Sequence, residues 1–372
     1  MPSAPEPVRI VFAEEDTLFT LMEATLLRRL TPGAEKAMTY FFGPEFQRPL
    51  ADLLHIADRL GLPADIDVVI CPDDATLRRV LPTADFLVTE RHPITREHIS
   101  AGPRLRLIQK FGRDTENIDV KAAREAGIPV AKLVRYSSLS SADNITALIL
   151  ALARNLLQAH RSVVARRDPS RPARFIDDPP RTKFNWANIR NLRVMAEQTV
   201  GFVGFGENSG EVSKRLCRMG TRVFYYKRHP FPPGVEEELG ATYRPLDELL
   251  AVSDFVSINV PWNESTEKMV DAAFLAKMKR GAYLVNASRG GVVDERALYD
   301  ALKSGHLAGA ALDVYRYEPV PPDCPLLDLD NILWTPHMSG GEPEFMFREV
   351  EDVLANVARV LRGEPAKDLV TA

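Results

Sequence analysis

Short hydrophobic runs rich in β-branched residues alternate with amphipathic stretches along the first part of the chain. The runs typical of strands are residues 8–13, 67–70, 85–89, 106–111 and 128–131. After the first of them, Leu18, Leu21 and Met22 recur at helical spacing. This alternation predicts a parallel sheet covered by helices.

A second alternating series begins at residue 199 and has the clearest pattern. Its strand candidates are a run from residue 199 and residues 221–227, 255–260, 282–287, 309–314 and 332–335. Helices are predicted at 294–303, where Asp294 can cap the start, and at about 343–362, where Gly363 follows the end. Between the two series, residues 141–164 predict one extended helix.

Length and composition are those of an ordinary globular protein. The 372 residues predict two domains, and the 45% hydrophobic and 26% charged content excludes a disordered chain or a coiled coil. With 47 Lys and Arg against 51 Asp and Glu, the net charge is −4, so no overall basic field exists to collect nucleic acid. The basic segment at 166–183 is interrupted by acids and prolines and is predicted to be a linker.

Cysteine usage and the first residues bear on the compartment. Cys71, Cys217 and Cys324 lie far apart without CxxC spacing, which favours a reducing compartment over a disulfide framework or a zinc site. The chain begins with acids and prolines, where a secretory signal would have a basic start and an apolar run. The longest apolar stretch, residues 145–157, is too short to span a bilayer and contains Arg154. We therefore expect a cytoplasmic protein with no membrane contact.

The segment GFGENSG follows a strand and opens a helix. Gly204 permits a tight turn, and Gly206 lets the backbone approach a phosphate. The helix start, at Glu207 and Asn208, supplies free N–H groups. Ser209 replaces the third glycine of the usual GxGxxG pattern and is still small enough for close packing. This context favours dinucleotide binding over an ordinary turn.

The residues about 20 positions further on distinguish the two nicotinamide dinucleotides. An acid there would accept hydrogen bonds from the ribose hydroxyls of NAD, whereas this chain has Lys227 and Arg228. Two cations suit the additional 2′-phosphate of NADP. We therefore predict NADP(H) as the preferred cofactor and NAD(H) as the alternative. The competing interpretation is that both cations are solvated residues beyond a strand end.

Three short motifs follow later strands: NASRGGVVDE at 286–295, LDVYRYEP at 312–319 and WTPHMSGG at 334–341. With the glycine-rich loop they resemble the D-isomer-specific 2-hydroxyacid dehydrogenases, which include glyoxylate/hydroxypyruvate reductases and phosphoglycerate dehydrogenases. The resemblance covers about residues 85–370. It implies an α/β fold in which a Rossmann-type dinucleotide-binding domain, 148–337, is inserted into a flavodoxin-like substrate domain, 1–147 and 338–372. It also implies a homodimer.

Carried over by position, the resemblance places the catalytic residues at Arg289, Glu318 and His337. The residue types suit reduction of a 2-oxo acid. A guanidinium binds a carboxylate bidentately, an imidazole protonates the developing alkoxide, and a carboxylate on the other ring nitrogen fixes the tautomer. Besides the glycine-rich loop and the two cations, the positions implied for the cofactor are Val260, Pro261, Thr266, Ala287, Ser288, Asp313 and His337.

The predicted substrate loop departs from the family pattern. Gly112 keeps the first glycine of a GxG loop that binds the substrate carboxylate in the family, Arg113 follows, and Asp114 replaces the second glycine. An anion there is unfavourable unless its side chain turns outward. The predicted substrate contacts are Gly112, Arg113 and Arg289, with Lys110, Arg135 and Tyr136 as further candidates.

The expected function is reduction of a small 2-oxo acid of the glyoxylate or hydroxypyruvate type to the D-2-hydroxy acid, with His337 as general acid/base. Two alternatives stay open here: D-3-phosphoglycerate dehydrogenase, and a non-catalytic dinucleotide-sensing binding protein. No metal site is predicted. The other histidines have no metal spacing and are expected to be structural or solvated: His55, His92, His98, His160, His229 and His306.

Overall fold

The computed structural model describes residues 7–165 and 185–370. The predicted linker at 166–183 lies outside the described residues. The chain divides into two compact units: an outer unit, Met1–Ser138 with Gly341–Ala372, and an inserted unit, Leu139–Gly340. The units therefore change at 138/139 and 340/341, and the domain bounds at 147/148 and 337/338 stay a prediction.

Both units are built from parallel strands and helices. The strands are Val8–Phe12 (β1), Ile66–Ile70 (β2), Phe86–Thr89 (β3), Leu107–Lys110 (β4), Val130–Ala131 (β5), Thr199–Val203 (β6), Arg222–Tyr226 (β7), Thr242–Tyr243 (β8), Phe255–Ile258 (β9), Tyr283–Asn286 (β10), Gly309–Leu312 (β11) and Ile332–Trp334 (β12). The helices are Thr17–Leu27 (α1), Pro32–Phe42 (α2), Gln47–Leu54 (α3), Ile56–Arg59 (α4), Asp74–Val80 (α5), Arg96–Ala101 (α6), Val120–Glu125 (α7), Tyr136–Ala153 (α8), Leu156–Val164 (α9), Glu207–Arg218 (α10), Pro233–Leu239 (α11), Leu246–Val252 (α12), Ala272–Lys277 (α13), Glu295–Lys303 (α14) and Phe345–Leu361 (α15). Each strand predicted from the sequence is present, and β8 is an additional one.

The outer unit is a five-stranded parallel sheet in the order β2-β1-β3-β4-β5. This is the strand order of the flavodoxin-like fold. Helix α15 returns from the far end of the sequence to cover the sheet, because Val350, Val353 and Leu354 are fully buried in the same core as Phe12 and Met22. The predicted flavodoxin-like unit, closed by the last helix, is confirmed.

The inserted unit is a seven-stranded parallel sheet in the order β12-β11-β10-β9-β6-β7-β8. The chain runs outward from β6 to β8, then crosses back to β9 and continues to β12 on the other side. Strand order therefore reverses between β6 and β9, and ligands of open α/β sheets bind outside the carboxyl ends of the strands at such a point. The predicted Rossmann-type arrangement is confirmed.

Both faces of the inserted sheet are buried, which explains its apolar strands. One face carries Val256, Ile258 and Leu284, and the other carries Phe202 and Val285. Across residues 7–165 and 185–370, no helix combines the length and the apolarity that a bilayer crossing requires.

The predicted single helix over residues 141–164 is wrong. Helix α8 begins earlier, at Tyr136, and ends at Ala153, and α9 begins at Leu156. The break lies at Asn155, whose φ of 49° is in the left-handed region that Asn tolerates better than most residues. The Ala153 carbonyl accepts the backbone N–H of Arg193 at 2.8 Å and so takes its hydrogen bond outside the helix.

Candidate active site

The glycine-rich loop joins β6 to α10 at the point where strand order reverses. Gly204 has a φ of 85°, and a Cβ there would lie 2.5 Å from the carbonyl oxygen of Asn259, so only glycine fits. Gly206 precedes the helix in extended conformation, and a Cβ there would meet nothing within 4 Å. The space beside Gly206, at the start of α10, is therefore open, as an anion site at a helix N-terminus requires.

The departure from GxGxxG at Ser209 has a structural account. Ser209 is buried, and its hydroxyl donates to the Gly204 carbonyl oxygen at 3.4 Å. The close packing that the third glycine usually permits occurs here at the next residue, Gly210. A Cβ on Gly210 would lie 3.2 Å from the Leu239 side chain of α11. The predicted neighbours Glu207 and Asn208 are half-buried in the first turn of α10.

The two predicted cations follow β7 in different environments. The Lys227 ammonium lies 3.5 Å from the centre of the Phe231 ring, a cation–π contact. Tyr225 accepts the Phe231 backbone N–H at 2.8 Å and donates to Glu236 at 2.8 Å, which holds that ring in place. Burial raises the pKa of Tyr225 to about 12, so it stays a neutral donor. Arg228 is exposed.

Two of the three predicted catalytic residues form a direct pair. His337 Nδ1 lies 2.6 Å from Glu318 Oε2, and Glu318 Oε1 accepts the Tyr315 backbone N–H at 3.0 Å. The carboxylate therefore fixes the tautomer in which Nδ1 carries hydrogen, and Nε2 is the nitrogen left to exchange a proton. The two side chains are 34% and 35% exposed, so a small molecule can reach the pair.

The turn that carries His337 is built around Asp313, at the end of β11. Asp313 is fully buried, and its carboxylate accepts the Thr335 hydroxyl at 2.5 Å and the N–H groups of Met338 at 3.0 Å and Ser339 at 2.9 Å. These bonds hold His337 at a φ of 53°, a strained value for a non-glycine residue. A carboxylate has about four acceptor positions, and these bonds occupy three of them. The cofactor contact predicted for Asp313 is not tested by these bonds and stays a prediction.

Arg289 lies on the loop after β10, beside the Glu318 loop. The loop is folded by Asn286, which accepts from Ser288 at 2.8 Å and donates to the Arg289 carbonyl oxygen at 3.1 Å. A Cβ on Gly290 would lie 1.9 Å from the carbonyl carbon of Tyr315, so the two loops touch backbone to backbone. The Arg289 side chain is exposed, and its Nη1 donates to the Ser288 carbonyl oxygen at 2.7 Å. The predicted neighbour Ala287 is half-buried in the same loop.

The loop after β9 completes this edge of the inserted sheet. Thr266 donates to the Pro261 carbonyl oxygen at 2.6 Å and accepts the Asn263 N–H at 2.9 Å, which closes the loop on itself. Val260 lies against the glycine-rich loop, since its Cγ1 is 2.7 Å from where a Cβ on Gly204 would stand. All cofactor positions implied by the resemblance therefore follow carboxyl ends of strands in one sheet or begin α10.

A cavity of about 480 Å³ adjoins the His337–Glu318 pair. Most of the residues that line the cavity are apolar. Besides His337 and Glu318, the lining residues are Tyr315, Pro319, Val320, Leu327, Trp334, Thr335 and Pro336. The Tyr315 ring stacks on Trp334 with centroids 5.4 Å apart, so this wall is preformed.

The remaining predicted substrate residues belong to the outer unit. Gly112 is buried, has a φ of 127°, and its carbonyl oxygen accepts the Leu133 N–H at 3.0 Å. Arg113 is half-buried. Asp114, in place of the second glycine, is exposed and accepts the Glu116 N–H at 2.8 Å. The carboxylate thus turns to its own loop, a common use of Asp in turns.

Two further candidates, Lys110 and Arg135, are engaged by Glu90. The Lys110 ammonium donates to the Glu90 carbonyl oxygen and, at 2.9 Å, to Asn117, and burial lowers its pKa. Arg135 pairs with the Glu90 carboxylate at 2.8 Å. Tyr136 is half-buried at the start of α8.

Sequence reasoning missed a cluster in the outer unit. Asp74 Oδ1 lies 3.0 Å from His92 Nε2 and 2.8 Å from His98 Nε2. Within the described ranges, this is the one histidine, cysteine and carboxylate group compact enough to hold a metal ion. However, His98 Nδ1 accepts the Thr95 backbone N–H at 3.1 Å, so its Nε2 carries hydrogen and donates to Asp74. The geometry describes a hydrogen-bonded cluster, and Arg78 with both histidines lowers the pKa of Asp74 to about 2.

Comparison with known proteins identifies similar proteins in one family. The model of the D-isomer specific 2-hydroxyacid dehydrogenase NAD-binding domain matches residues 146–339. The chain is 39% identical over 282 residues to a glyoxylate reductase of Korarchaeum cryptofilum, covering 75% of this chain and 80% of that protein. It is 34% identical over 295 residues to a D-3-phosphoglycerate dehydrogenase of Archaeoglobus fulgidus, covering 79% of this chain and 52% of that one.

A solved structure is similar over the full chain. The crystal structure of a glyoxylate reductase from Paecilomyes thermophila is 25% identical, covers 100% of this chain and 99% of that one, and superposes with a TM-score of 0.52. The chain spans only about half the length of the phosphoglycerate dehydrogenase, as the 52% coverage states.

Proposed function

Because the chain belongs to the D-isomer-specific 2-hydroxyacid dehydrogenases, which are nicotinamide-dependent oxidoreductases, we propose that it reduces a small 2-oxo acid to the D-2-hydroxy acid. The substrate is of the glyoxylate or hydroxypyruvate type. The observation that carries this proposal is the contact of 2.6 Å between His337 Nδ1 and Glu318, which leaves Nε2 to serve a substrate.

Each proposed catalytic group has a separate task. Arg289 is exposed and binds the substrate carboxylate, and its fork of N–H groups also polarises the neighbouring carbonyl. The dihydronicotinamide supplies a hydride when bound. His337 donates the Nε2 proton to the carbonyl oxygen as that oxygen gains charge. Glu318 stabilises the protonated ring before transfer and keeps its orientation afterwards.

The residues present fit a dinucleotide. The space beside Gly206 admits a phosphate, and the start of α10 supplies free N–H groups. We propose NADPH as the preferred cofactor and NADH as the alternative, because Lys227 and Arg228 follow β7 where an acid would select NAD. The exposed Arg228 is the better 2′-phosphate ligand, since Lys227 already contacts the Phe231 ring.

Turnover of the purified full-length chain tests the proposal. Glyoxylate, hydroxypyruvate, pyruvate and phosphohydroxypyruvate are each offered with NADPH and with NADH, and the hydroxy acid formed is resolved by chirality. We expect reduction to the D-isomer, and a loss of about 10²- to 10⁴-fold in kcat in His337→Ala. His55→Ala, a change at an exposed histidine of the outer unit, is the matched control.

The same panel distinguishes the two alternatives. Preferred turnover of phosphohydroxypyruvate would assign phosphoglycerate dehydrogenase activity. Cofactor binding without turnover on any 2-oxo acid would favour a dinucleotide-sensing protein and refute the enzymatic proposal. The preorganised Asp313 turn and His337–Glu318 pair argue for turnover, because a protein that only senses the cofactor has no need of a strained histidine.

We also propose that two copies associate through α9. None of the residues of α9 is buried, and three of its exposed side chains are apolar. The exposed fractions are 53% for Leu156, 57% for Val163 and 54% for Val164. A second copy supplies an equal apolar face, since symmetric dimers use the same patch on both subunits. Light scattering should show a dimer that Val163→Glu converts to monomer, while Val252→Glu on α12 leaves it intact; a monomeric wild type would refute this.

A further inference from the structure

The Glu267 carboxylate joins the loops after β9 and β11 at the carboxyl edge of the inserted sheet. It lies in the loop between β9 and α13, residues 259–271. Its Oε2 accepts the indole N–H of Trp262, in the same loop. Its Oε1 accepts Nη1 of Arg316 at 2.6 Å, and Arg316 lies two residues before Glu318 in the loop after β11. The two oxygens thus receive different donors from different loops.

The loop after β10 is joined to the Glu267 loop by a backbone hydrogen bond. The N–H of Lys268 donates to the Gly291 carbonyl oxygen at 2.8 Å. A Cβ on Gly291 would lie 2.5 Å from the indole nitrogen of Trp262, so the indole rests directly on this loop. Gly291 is two residues beyond Arg289. The Trp262 ring is therefore placed between Glu267 and the Arg289 loop.

The Glu318 loop is anchored to the Arg289 loop in the same region. A Cβ on Gly290 would lie 1.9 Å from the Tyr315 carbonyl carbon, so the chain passes there without clearance. The Arg316 backbone N–H donates to Glu295 of α14 at 3.1 Å. Arg316 thus has two anchors, one through its side chain to Glu267 and one through its backbone to α14.

An ordinary surface ion pair does not account for this arrangement. Glu267 and Arg316 side chains are 34% and 37% exposed, and pairs of that kind contribute little to stability. The contacts instead connect segments that carry the proposed catalytic groups. Hydrogen bonds from Arg316 and Trp262 lower the pKa of Glu267, so the carboxylate stays ionised at neutral pH.

We propose that Glu267 is a positioning residue that, through Trp262 and Arg316, holds the Arg289 loop and the Glu318 loop in the geometry that receives a 2-oxo acid. This inference rests on the proposed function. Small displacements of catalytic groups cost large factors in rate. Pro261 and Thr266, which are implied for the cofactor, share the loop with Glu267, but the phosphate site at Gly206 and the start of α10 makes none of these contacts. Loss of Glu267 should therefore affect the 2-oxo acid much more than the cofactor.

Glu267→Gln is the sharpest perturbation. The amide has the same shape, but its one oxygen can accept from Arg316 or from Trp262 and its NH₂ group then faces the other donor. We expect kcat/KM for the 2-oxo acid to fall about tenfold, mainly through kcat, while Kd for NADPH changes by less than about twofold. Oxamate, an unreactive isostere of a 2-oxo acid, should bind the complex with NADPH about tenfold more weakly.

Two further variants separate positioning from general destabilisation. Arg316→Lys keeps a cation opposite Glu267 and should retain most activity, whereas Arg316→Gln should match Glu267→Gln. Asp247→Asn breaks a more exposed ion pair: Asp247 and Lys277, 2.8 Å apart, are 66% and 51% exposed and link α12 to α13. Asp247→Asn should leave kcat and KM unchanged and lower Tm only by the small amount expected from the loss of a surface ion pair.

The outcomes are distinct. If Glu267→Gln behaves like Asp247→Asn in kinetics and in oxamate binding, the inference is wrong. If Glu267→Gln weakens NADPH and oxamate binding equally while lowering Tm, Glu267 is only structural and the inference is also wrong. A wild-type chain that binds NADPH but turns over no 2-oxo acid refutes the proposed function, and the oxamate measurement still decides the positioning role.

Discussion

Replacing Glu318 with Gln tests the proposed catalytic pair with almost no change of volume. In the wild type, Oε2 contacts His337 Nδ1 at 2.6 Å and Oε1 accepts the Tyr315 N–H at 3.0 Å. An amide has one acceptor oxygen, so it can satisfy only one of these donors. If that oxygen stays on the Tyr315 N–H, the NH₂ group faces Nδ1. Two donors then face each other, which destabilises the protonated ring that reduction requires.

The size of the effect follows from the lost contact. A hydrogen bond to a charged group is worth about 1.5–3 kcal/mol. Because the His337 and Glu318 side chains are 34% and 35% exposed, we take a middle value of about 2 kcal/mol, which is about 30-fold in kcat.

The measurement is steady-state reduction of the best 2-oxo acid with saturating cofactor, followed by nicotinamide absorbance. Glu248→Gln, an isosteric change on the solvent side of α12, is the matched control and should be silent. A kcat for Glu318→Gln within about threefold of wild type would show that the anion does not assist His337.

Strand positions could be predicted from the sequence because parallel strands buried on both faces appear as continuous apolar runs. β8 was missed because it has only two residues, Thr242 and Tyr243, neither of them buried. The break between α8 and α9 was missed for another reason. The apolar pattern continues through Asn155, and the interruption depends on a hydrogen bond from Arg193, which is distant in sequence.

The candidate site shows the same limit. Motif order named His337, Glu318 and Arg289, but the pairing of two of them depends on loops that meet only in the folded sheet. The Asp74 cluster was missed because its histidines lie 18 and 24 residues away in sequence, without metal-like spacing. Spacing rules detect ligands on one element, whereas this cluster joins the start of α5 to residues in and before α6.

Two further outcomes follow from single charges. Arg228→Ala should raise KM for NADPH about tenfold and leave that for NADH within about twofold, because one exposed guanidinium contact to the 2′-phosphate is lost; equal changes for both cofactors would exclude this role. Asp16→Asn should stabilise the outer unit at neutral pH. Burial, and next the nearby Glu90 carboxylate, raise the pKa of Asp16, so its folded-state pKa lies above the unfolded value. The stability that this shift contributes is complete below the unfolded pKa of about 3.9 and is lost as pH rises through the folded pKa. Asn does not titrate and can still accept the Leu18 N–H that caps α1, a bond of 2.8 Å in the wild type. Urea unfolding should therefore show a gain of about 1 kcal/mol at pH 7 that disappears below about pH 4. A gain of equal size at both pH values would mean that the stabilisation does not come from the Asp16 charge.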